Sequence, residues 1–348
     1  MKTHNCPGCL REGFGTYCTT CRRKLFNGTR VDHILSFSRP EYNQHKILQK
    51  NERMSISGVQ AKHSLRLDGK VLNLVEHGGE YILKPIPNAA YDNIEHVPAN
   101  EHLTMQLAKQ MFTISTAENS MIFFKDGSPA YLTKRFDVLP DGKKSLQEDM
   151  AQIANKSEEK DGKNYKYDFS YEGISELMRQ YVGAYAVEAE KFFKIIIFNY
   201  YVQNGDAHLK NFSLMRSEEY GDYHLSPAYD LVNTKIHLPQ EGDTALEIFK
   251  GDFQTESYGI NGKYCMDDFT EFGKRLGLKE RRMNKILREF TRDNLHEVEG
   301  LIMRSFLSDE LKKRYVELVK ERIARLEYSF SEEKGKEYGN SRNQTCPR

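Results

Sequence analysis

The hydrophobic period of this chain changes once, near residue 140, and that change constrains the fold more than any other feature. Between Lys62 and Phe136 apolar and polar residues alternate, as they do in strands. His63-Ser-Leu-Arg-Leu and Val71-Leu-Asn-Leu-Val flank Asp68-Gly69, the composition of a tight hairpin. A third strand, Tyr81 to Lys84, stops at Pro85, and two more, Met121 to Phe124 and Ala130 to Phe136, flank Asp126-Gly127. One helix interrupts them from Ala99 to Met111, with Leu103, Leu107 and Met111 four apart on one stripe. From about residue 147 the pattern is mainly helical. Val187 to Val202 is strongly apolar, which predicts a helix buried in the centre of a second lobe and stopped by Asn204-Gly205. Further helices are expected over about 266–277, 280–293 and 308–327, the last with Ser308 as N-cap and Asp309 and Glu310 in its first turn. The fold class is therefore α+β, a sheet-rich lobe followed by a helical one.

Four of the six cysteines crowd into the first 21 positions as C-x2-C-x8-C-x2-C: Cys6, Cys9, Cys18 and Cys21. Two such knuckles supply the four thiolates that zinc takes in a tetrahedron. Pro7-Gly8 permits the first turn, and Gly13 and Gly15 let the chain reverse between the knuckles. Two disulfides are the competing arrangement, and the N-terminus lacks the apolar core of an export signal. A closed four-cysteine site leaves no position for water, so Zn2+ here is expected to be structural. Arg11, Arg22, Arg23 and Lys24 beside Phe14, Tyr17 and Phe26 leave two roles open, nucleic-acid contact or a small solvated knob docked on its neighbour. Cys265 and Cys346 stand alone.

Charge and hydropathy remove several classes. Lys and Arg number 51 against 50 Asp and Glu, and a net charge of +1 is poor material for coating a polyanion. No apolar stretch approaches the roughly 20 residues of a membrane span; the longest, Phe192 to Val202, is broken by Lys194 and Asn199. A cytoplasmic location is expected.

Four constellations carry chemistry. Asn204-Gly-Asp206-Ala-His208-Leu-Lys210-Asn211 follows the apolar helix, and Asp206 and Asn211 stand five apart, as in a kinase catalytic loop. A capping loop would have the same composition. One short hairpin later, Tyr229-Asp230 offers a second carboxylate, so that Asp206, Asn211 and Asp230 could form a magnesium site; a turn-capping Asp230 is the plainer role. Ser55-Ile-Ser57-Gly58-Val-Gln-Ala-Lys62 could present backbone N–H groups to phosphates, although with one glycine it fails the standard phosphate-loop patterns and also reads as an ordinary turn. Lys84 on its strand and Glu101 early in the next helix match the ion pair with which kinases anchor ATP phosphates. Each is weak alone. Their order along a β lobe and then an α lobe is the stronger indication.

In that order the chain resembles the HipA family of toxin–antitoxin serine/threonine kinases. The resemblance is carried by Met54-Ser-Ile-Ser-Gly-Val-Gln-Ala-Lys62, Tyr81-Ile-Leu-Lys-Pro85, Asn100-Glu-His102, Lys134-Arg-Phe-Asp137, Gln147-Glu-Asp-Met150, Gly205-Asp-Ala-His-Leu-Lys-Asn-Phe212 and Pro227-Ala-Tyr-Asp230. It implies a bilobal protein-kinase-like fold. The divisions expected are a zinc-binding segment at 1–28, a connector at 29–53, an N-lobe at 54–140, a helical C-lobe at 141–330 and a polar tail at 331–348. Longer relatives carry an extra N-terminal subdomain for which this chain has no room, so it looks closer to the short HipT type.

The resemblance further implies ATP and Mg2+ as cofactors, Asp206 as catalytic base, and Asn211 and Asp230 on magnesium. Ser57, Gly58, Lys62, Lys84 and Glu101 would serve the phosphates, with His208 and Tyr229 beside them. Lys134 to Phe136 would be the hinge against adenine, with Lys134 standing where relatives often have an acidic residue. Ser55 and Ser57 would be autophosphorylation sites, inhibitory because phosphate there adds about −1.5 to −2 charge where ATP phosphates sit. The implied partners are a translation component such as an aminoacyl-tRNA synthetase as substrate, a HipB-type antitoxin, a HipS-like small protein, and DNA only through the antitoxin. A small-molecule kinase, and a pseudokinase adaptor that uses the cysteine segment for binding, remain open alternatives.

Overall fold

The structure is a computed structural model that describes residues 3–48, 62–139, 141–219 and 221–333. Ser55, Ser57, Gly58 and Cys346 lie outside the described residues.

Strands β1 (His63–Asp68), β2 (Val71–Leu74), β3 (Tyr81–Pro85), β4 (Asn119–Phe123) and β5 (Pro129–Lys134) form one antiparallel sheet in the order β2-β1-β3-β5-β4. The first hairpin turns at Gly69, whose φ of 62° suits glycine. Pro85 ends β3 opposite Ala130, where its missing N–H costs least. Period-2 alternation sends Met121, Phe123 and Tyr131 into the main core, while Ile122, Phe124, Ala130 and Leu132 enter a second apolar cluster on the other face. That second cluster also holds Cys6, Tyr17, Leu25, Phe26, Val31, Leu35 and Tyr42. The N-terminal segment is thus docked on the sheet, as a further layer of the domain.

Helix α1 (Thr19–Phe26) begins at Cys18 and ends at Asn27, which takes a left-handed conformation. The polar stretch expected to be a connector also packs: Leu35 N donates to Phe123 O at 2.7 Å and Phe123 N to His33 O at 2.9 Å, covering the edge of β4. Helix α2 (Arg39–Leu48) follows it. Among β-proteins this is a common way to blunt an edge strand, and here it needs only polar backbone groups, so hydrophobicity did not announce it.

Helix α3 (Val97–Gln110) was expected to show one apolar stripe, yet every residue from Val97 to Ala108 is buried. The sheet, the cysteine segment and the helical lobe each cover part of it. Its C-terminal neighbour Phe112 stacks on Phe290 at 4.5 Å and meets Phe198 and Tyr201 edge-on, joining the two lobes.

In the helical lobe, β6 (Gln147–Asp149), β7 (Ser213–Arg216) and β8 (Tyr223–Leu225) form a small antiparallel sheet. Around it lie α4 (Met150–Ile153), α5 (Glu158–Asp161), α6 (Tyr171–Tyr181) and α7 (Tyr185–Tyr201), the last buried along most of its length. The outer helices are α8 (Glu256–Asn261), α9 (Met266–Arg275), α10 (Glu280–Arg288), α11 (Leu295–Met303) and α12 (Asp309–Glu327). Ser308 caps α12 as expected, its hydroxyl accepting from Leu311 N. The stop of α7 differs from expectation. Gln203, with φ 56°, is the left-handed residue, and Gly205 serves a close approach: a Cβ there would stand 2.6 Å from the Glu241 carboxylate.

Candidate active site

The site lies between the sheet and the helical lobe, where β3, α3, the loop after α7 and the loop after β8 meet. β3 carries Lys84 inward, opposite Tyr131 of β5. Its ammonium lies 2.5 Å from Glu101 Oε1 on α3 and 2.5 Å from Asp230 Oδ1. Lys62 adds a second cation, 3.1 Å from Asp230 Oδ2. Burial disfavours the charge on Lys84, but Asp230 and Glu101 outweigh it and hold the ammonium protonated well beyond its ordinary range. Burial likewise opposes ionisation of Asp230, and Lys62 and Lys84 reverse that, keeping it far below the usual carboxylate range. Asp230 has φ 55°, a left-handed conformation that aspartate tolerates better than most residues. Strain of this kind persists where surrounding contacts fix it.

The loop after α7 is internally braced. Asn204 Nδ2 donates to Asn199 Oδ1 at 2.7 Å, and Asn204 Oδ1 accepts from Asp206 N at 3.2 Å. Gly205 N donates to Thr234 Oγ1 at 2.9 Å, and Asn211 Oδ1 accepts from His208 N at 3.1 Å. His208 is fully buried, and burial pushes its imidazole down to about 4, so it is neutral at physiological pH. Asp206 is nearly buried, with Oδ1 accepting from the Tyr167 hydroxyl at 2.6 Å. Tyr229 bonds Ser213 Oγ at 2.6 Å and donates to Lys210 O at 2.9 Å, so its ring is locked beside the cleft.

Two cavities meet at this cluster. One, of about 1030 Å³, runs from Ile82, Thr133 and Phe136 past Tyr229 to Lys62, Lys84, Asn211 and Asp230. The other, of about 580 Å³, shares Lys84, Asn211 and Asp230 and adds Glu101 and Asp206 with Tyr91, Val97 and Leu238. Sequence-expected Lys62, Lys84, Glu101, Asp206, Asn211 and Asp230 are therefore brought together, and Phe136, His208 and Tyr229 line the larger cavity with Lys134 at its rim. In the expected hinge, Lys134 N donates to Glu118 O and Arg135 N to Glu80 O, which leaves the Phe136 amide as the one without a backbone acceptor in the described structure. The Lys134 ammonium donates to Asn27 Oδ1 at 3.0 Å, so this side chain ties the sheet to the cysteine segment. Gln147 and Asp149 of β6 and Gln152 of α4 also line the cleft, where the pairing of β6 with β7 places them.

Donor chemistry decides what such a site can hold. Asn211 and Asp230 are hard oxygen donors facing a lysine pair, suited to a divalent cation on a polyphosphate. The four N-terminal cysteines are soft donors. Their sulfurs all lie within 4.8 Å of one another, and Cys9 Sγ and Cys18 Sγ are 3.8 Å apart, about the edge of a tetrahedron of thiolates around zinc. Cys18 N donates to Cys6 Sγ at 3.2 Å and Cys21 N to Cys18 Sγ at 3.5 Å, so backbone N–H groups hold two of the four sulfurs in place. The five cysteines of the described residues are unbridged.

Comparison with known proteins agrees with this geometry. Residues 54–297 match the family model of the HipA-like C-terminal domain. An inferred kinase of Haemophilus influenzae is 30% identical over 317 residues, 85% of this chain and 88% of that protein. The inferred kinase Y4dM of Sinorhizobium fredii is 30% identical over 212 residues, 56% of this chain and 48% of that one. Among solved structures, a chain from the Shewanella oneidensis complex of HipA, HipB and operator DNA superposes with a TM-score of 0.59 at 20% identity, covering 82% of this chain and 70% of that chain. The Helicobacter pylori proinflammatory kinase CtkA gives 0.50 at 14% identity over 73% of this chain and 90% of its own. The bilobal kinase-like fold is thereby shown.

Proposed function

The chain belongs to the HipA-like C-terminal domain family, and from that premise we propose that it is an ATP- and Mg2+-dependent serine/threonine protein kinase. The observation that carries this reading is the joining of Lys84, Glu101 and Asp230 in one ion cluster that shares a cavity with Asp206 and Asn211. Phosphoryl transfer needs a cation on the phosphates, oxygen ligands for magnesium, and a carboxylate for the acceptor hydroxyl. Lys84 and Lys62 supply the first, Asn211 and Asp230 the second, Asp206 the third. Magnesium, when bound, neutralises charge developing on the transferred phosphate. The apolar end of the larger cavity, at Ile82 and Phe136, suits a purine base, with the Phe136 amide placed to donate to it. Tyr229 and the neutral His208 wall the cleft and exclude water.

The proposed substrate is a hydroxyl on a protein of the translation machinery, such as an aminoacyl-tRNA synthetase. A HipB-type antitoxin and a HipS-like small protein are the proposed partners, with DNA approached through the antitoxin; the likeness to a chain of the Shewanella complex of HipA, HipB and operator DNA supports the antitoxin. Ser55 and Ser57 are the proposed autophosphorylation sites, and Cys6, Cys9, Cys18 and Cys21 the ligands of a structural Zn2+. No helix of the described residues is long and apolar enough to cross a membrane, and a cytoplasmic location is proposed.

The test is Asp206→Asn. It should abolish transfer of label from γ-labelled ATP to protein in a lysate while leaving the melting temperature nearly unchanged. Activity that survives the change sinks the mechanism. Label on a metabolite in place of a protein band would instead make the chain a small-molecule kinase, and failure to bind Mg·ATP would make it a pseudokinase.

A further inference from the structure

The segment between α5 and α6, together with the first residue of α6, is bonded to the proposed catalytic loop at three points. Lys166 O accepts from Leu209 N at 3.1 Å, Tyr171 OH donates to Ala207 O at 3.0 Å, and Tyr167 OH donates to Asp206 Oδ1 at 2.6 Å. The Tyr167 ring is fixed as well. It meets the buried His208 ring edge-on at 5.1 Å, and the Lys166 ammonium lies 4.9 Å over its face. Its own N–H is spent on Asn164 O at 2.8 Å. The phenol is therefore a held donor and not a passing one.

A carboxylate that must take a hydroxyl proton works through one oxygen while the other is restrained. Asp206 lines the cavity it shares with Lys84 and Asn211, and Oδ1 is the oxygen that Tyr167 occupies. His208 Nε2 lies 3.8 Å from the same Oδ1, beyond a hydrogen bond. Oδ2 accepts no hydrogen bond from the described residues, so it is the oxygen available to an acceptor. We propose that Tyr167 is the positioning residue of the transfer reaction: its hydroxyl holds Asp206 Oδ1 and so presents Oδ2 to the incoming hydroxyl. Tyr167 touches neither nucleotide nor acceptor in this assignment and acts only through Asp206. It contributes no proton to the transfer: the acceptor oxygen bonds to the γ-phosphorus, the bond to the β–γ bridging oxygen breaks, ADP leaves, and the acceptor proton passes to Oδ2.

The assignment rests on the kinase reading and deepens it, and the experiment separates the two. Full-length wild type, Tyr167→Phe and Tyr167→Leu are compared for melting temperature, displacement of a fluorescent ATP analogue, and release or transfer of γ-phosphate from Mg·ATP. Losing one hydrogen bond to a charged group should lower kcat of Tyr167→Phe by about 10- to 100-fold. KM for ATP, analogue affinity and melting temperature should stay within about twofold or a degree or two of wild type, because the ring and its packing remain. Tyr167→Leu should lose at least as much turnover. If Tyr167→Phe turns over like wild type, whatever Tyr167→Leu does, the hydroxyl has no positioning role and the assignment is overturned. A rise in turnover for Tyr167→Phe also overturns it, since the phenol would then be a competitor in the acceptor's place. A wild type that neither binds nor turns over nucleotide defeats the kinase reading itself, and this assignment with it.

Discussion

At the scale of single residues, the unusual feature is that one ammonium, 3% exposed, serves two carboxylates. Removing one member of a buried ion cluster leaves an uncompensated charge and costs about 3–5 kcal/mol, whereas replacing matched members with apolar groups is close to neutral. Lys84→Met is therefore expected to lower the melting temperature markedly and to abolish nucleotide binding. The double change Lys84→Met with Glu101→Leu should recover most of the stability, since Asp230 keeps Lys62, and still fail to bind nucleotide. Thermal unfolding and analogue displacement on the same preparations check both halves; recovery of binding in the double variant would remove Lys84 from the phosphate site. The types and order of Lys84, Glu101, Asp206, Asn211 and Asp230 were legible in the sequence because their spacing along strand, helix and loop is characteristic. Tyr167 was not, because its partner is 39 residues away and nothing in Lys-Tyr-Asp distinguishes a positioning phenol from a surface one.

Among the elements, α3 is where the cysteine segment and the proposed nucleotide site meet. Glu101 faces Lys84, while its neighbour His102 places Nε2 3.0 Å from Gly8 O, inside the first cysteine knuckle. Gln110 at the other end of the helix donates to Cys9 O at 3.1 Å. Gly8 cannot be larger, since a Cβ there would sit 2.7 Å from Cys21 Sγ. Structural zinc contributes on the order of 10 kcal/mol to such segments. About one zinc per chain is expected by metal analysis, and Cys9→Ser with Cys21→Ser should lose it. The metal-free protein should then show faster hydrogen exchange along α3 and weaker analogue binding than the holoprotein. Unchanged protection of α3 would show that the knuckles stand apart from it. Periodicity identified α3 correctly but under-read its burial: three leucine-like positions on one stripe predict one covered face, and the polar Asn100, His102, Thr104 and Gln106 gave no sign of three. Each of those polar groups finds a buried partner, as Thr104 Oγ1 does at 2.9 Å from Tyr315 OH on α12, and such partners cannot be foreseen locally.

Across the whole molecule, stability and acidity are coupled through buried imidazoles. His102 and His208 are fully buried, and burial holds each down to about 4, while His237 is lowered by the same cause. A histidine depressed on folding contributes stability that is complete above its unfolded value of about 6.5 and is lost as pH falls toward the folded value. Each of the first two is worth up to about 3 kcal/mol over that window by linkage. Urea unfolding between pH 7.5 and 4.5 should therefore show a steep loss beginning near 6.5. His102→Gln, which can still donate to Gly8 O, should flatten the curve. An equally steep curve for that variant would place the acid lability elsewhere.

The chain by itself determined the two lobes, the strands and the apolar α7 with their approximate limits, the four-cysteine knuckles, and the residue types of the site in their order. These depend on local periodicity, turn chemistry and spacing, which a few neighbouring residues decide. The tertiary structure alone decided that residues 3–42 form a second layer over the sheet, that α3 is enclosed on all sides, that Gln203 and not Gly205 turns the chain out of α7, and that Tyr167 holds Asp206. Those follow from contacts between segments far apart in sequence, where burial and hydrogen bonding depend on what arrives from elsewhere and not on the residues beside them.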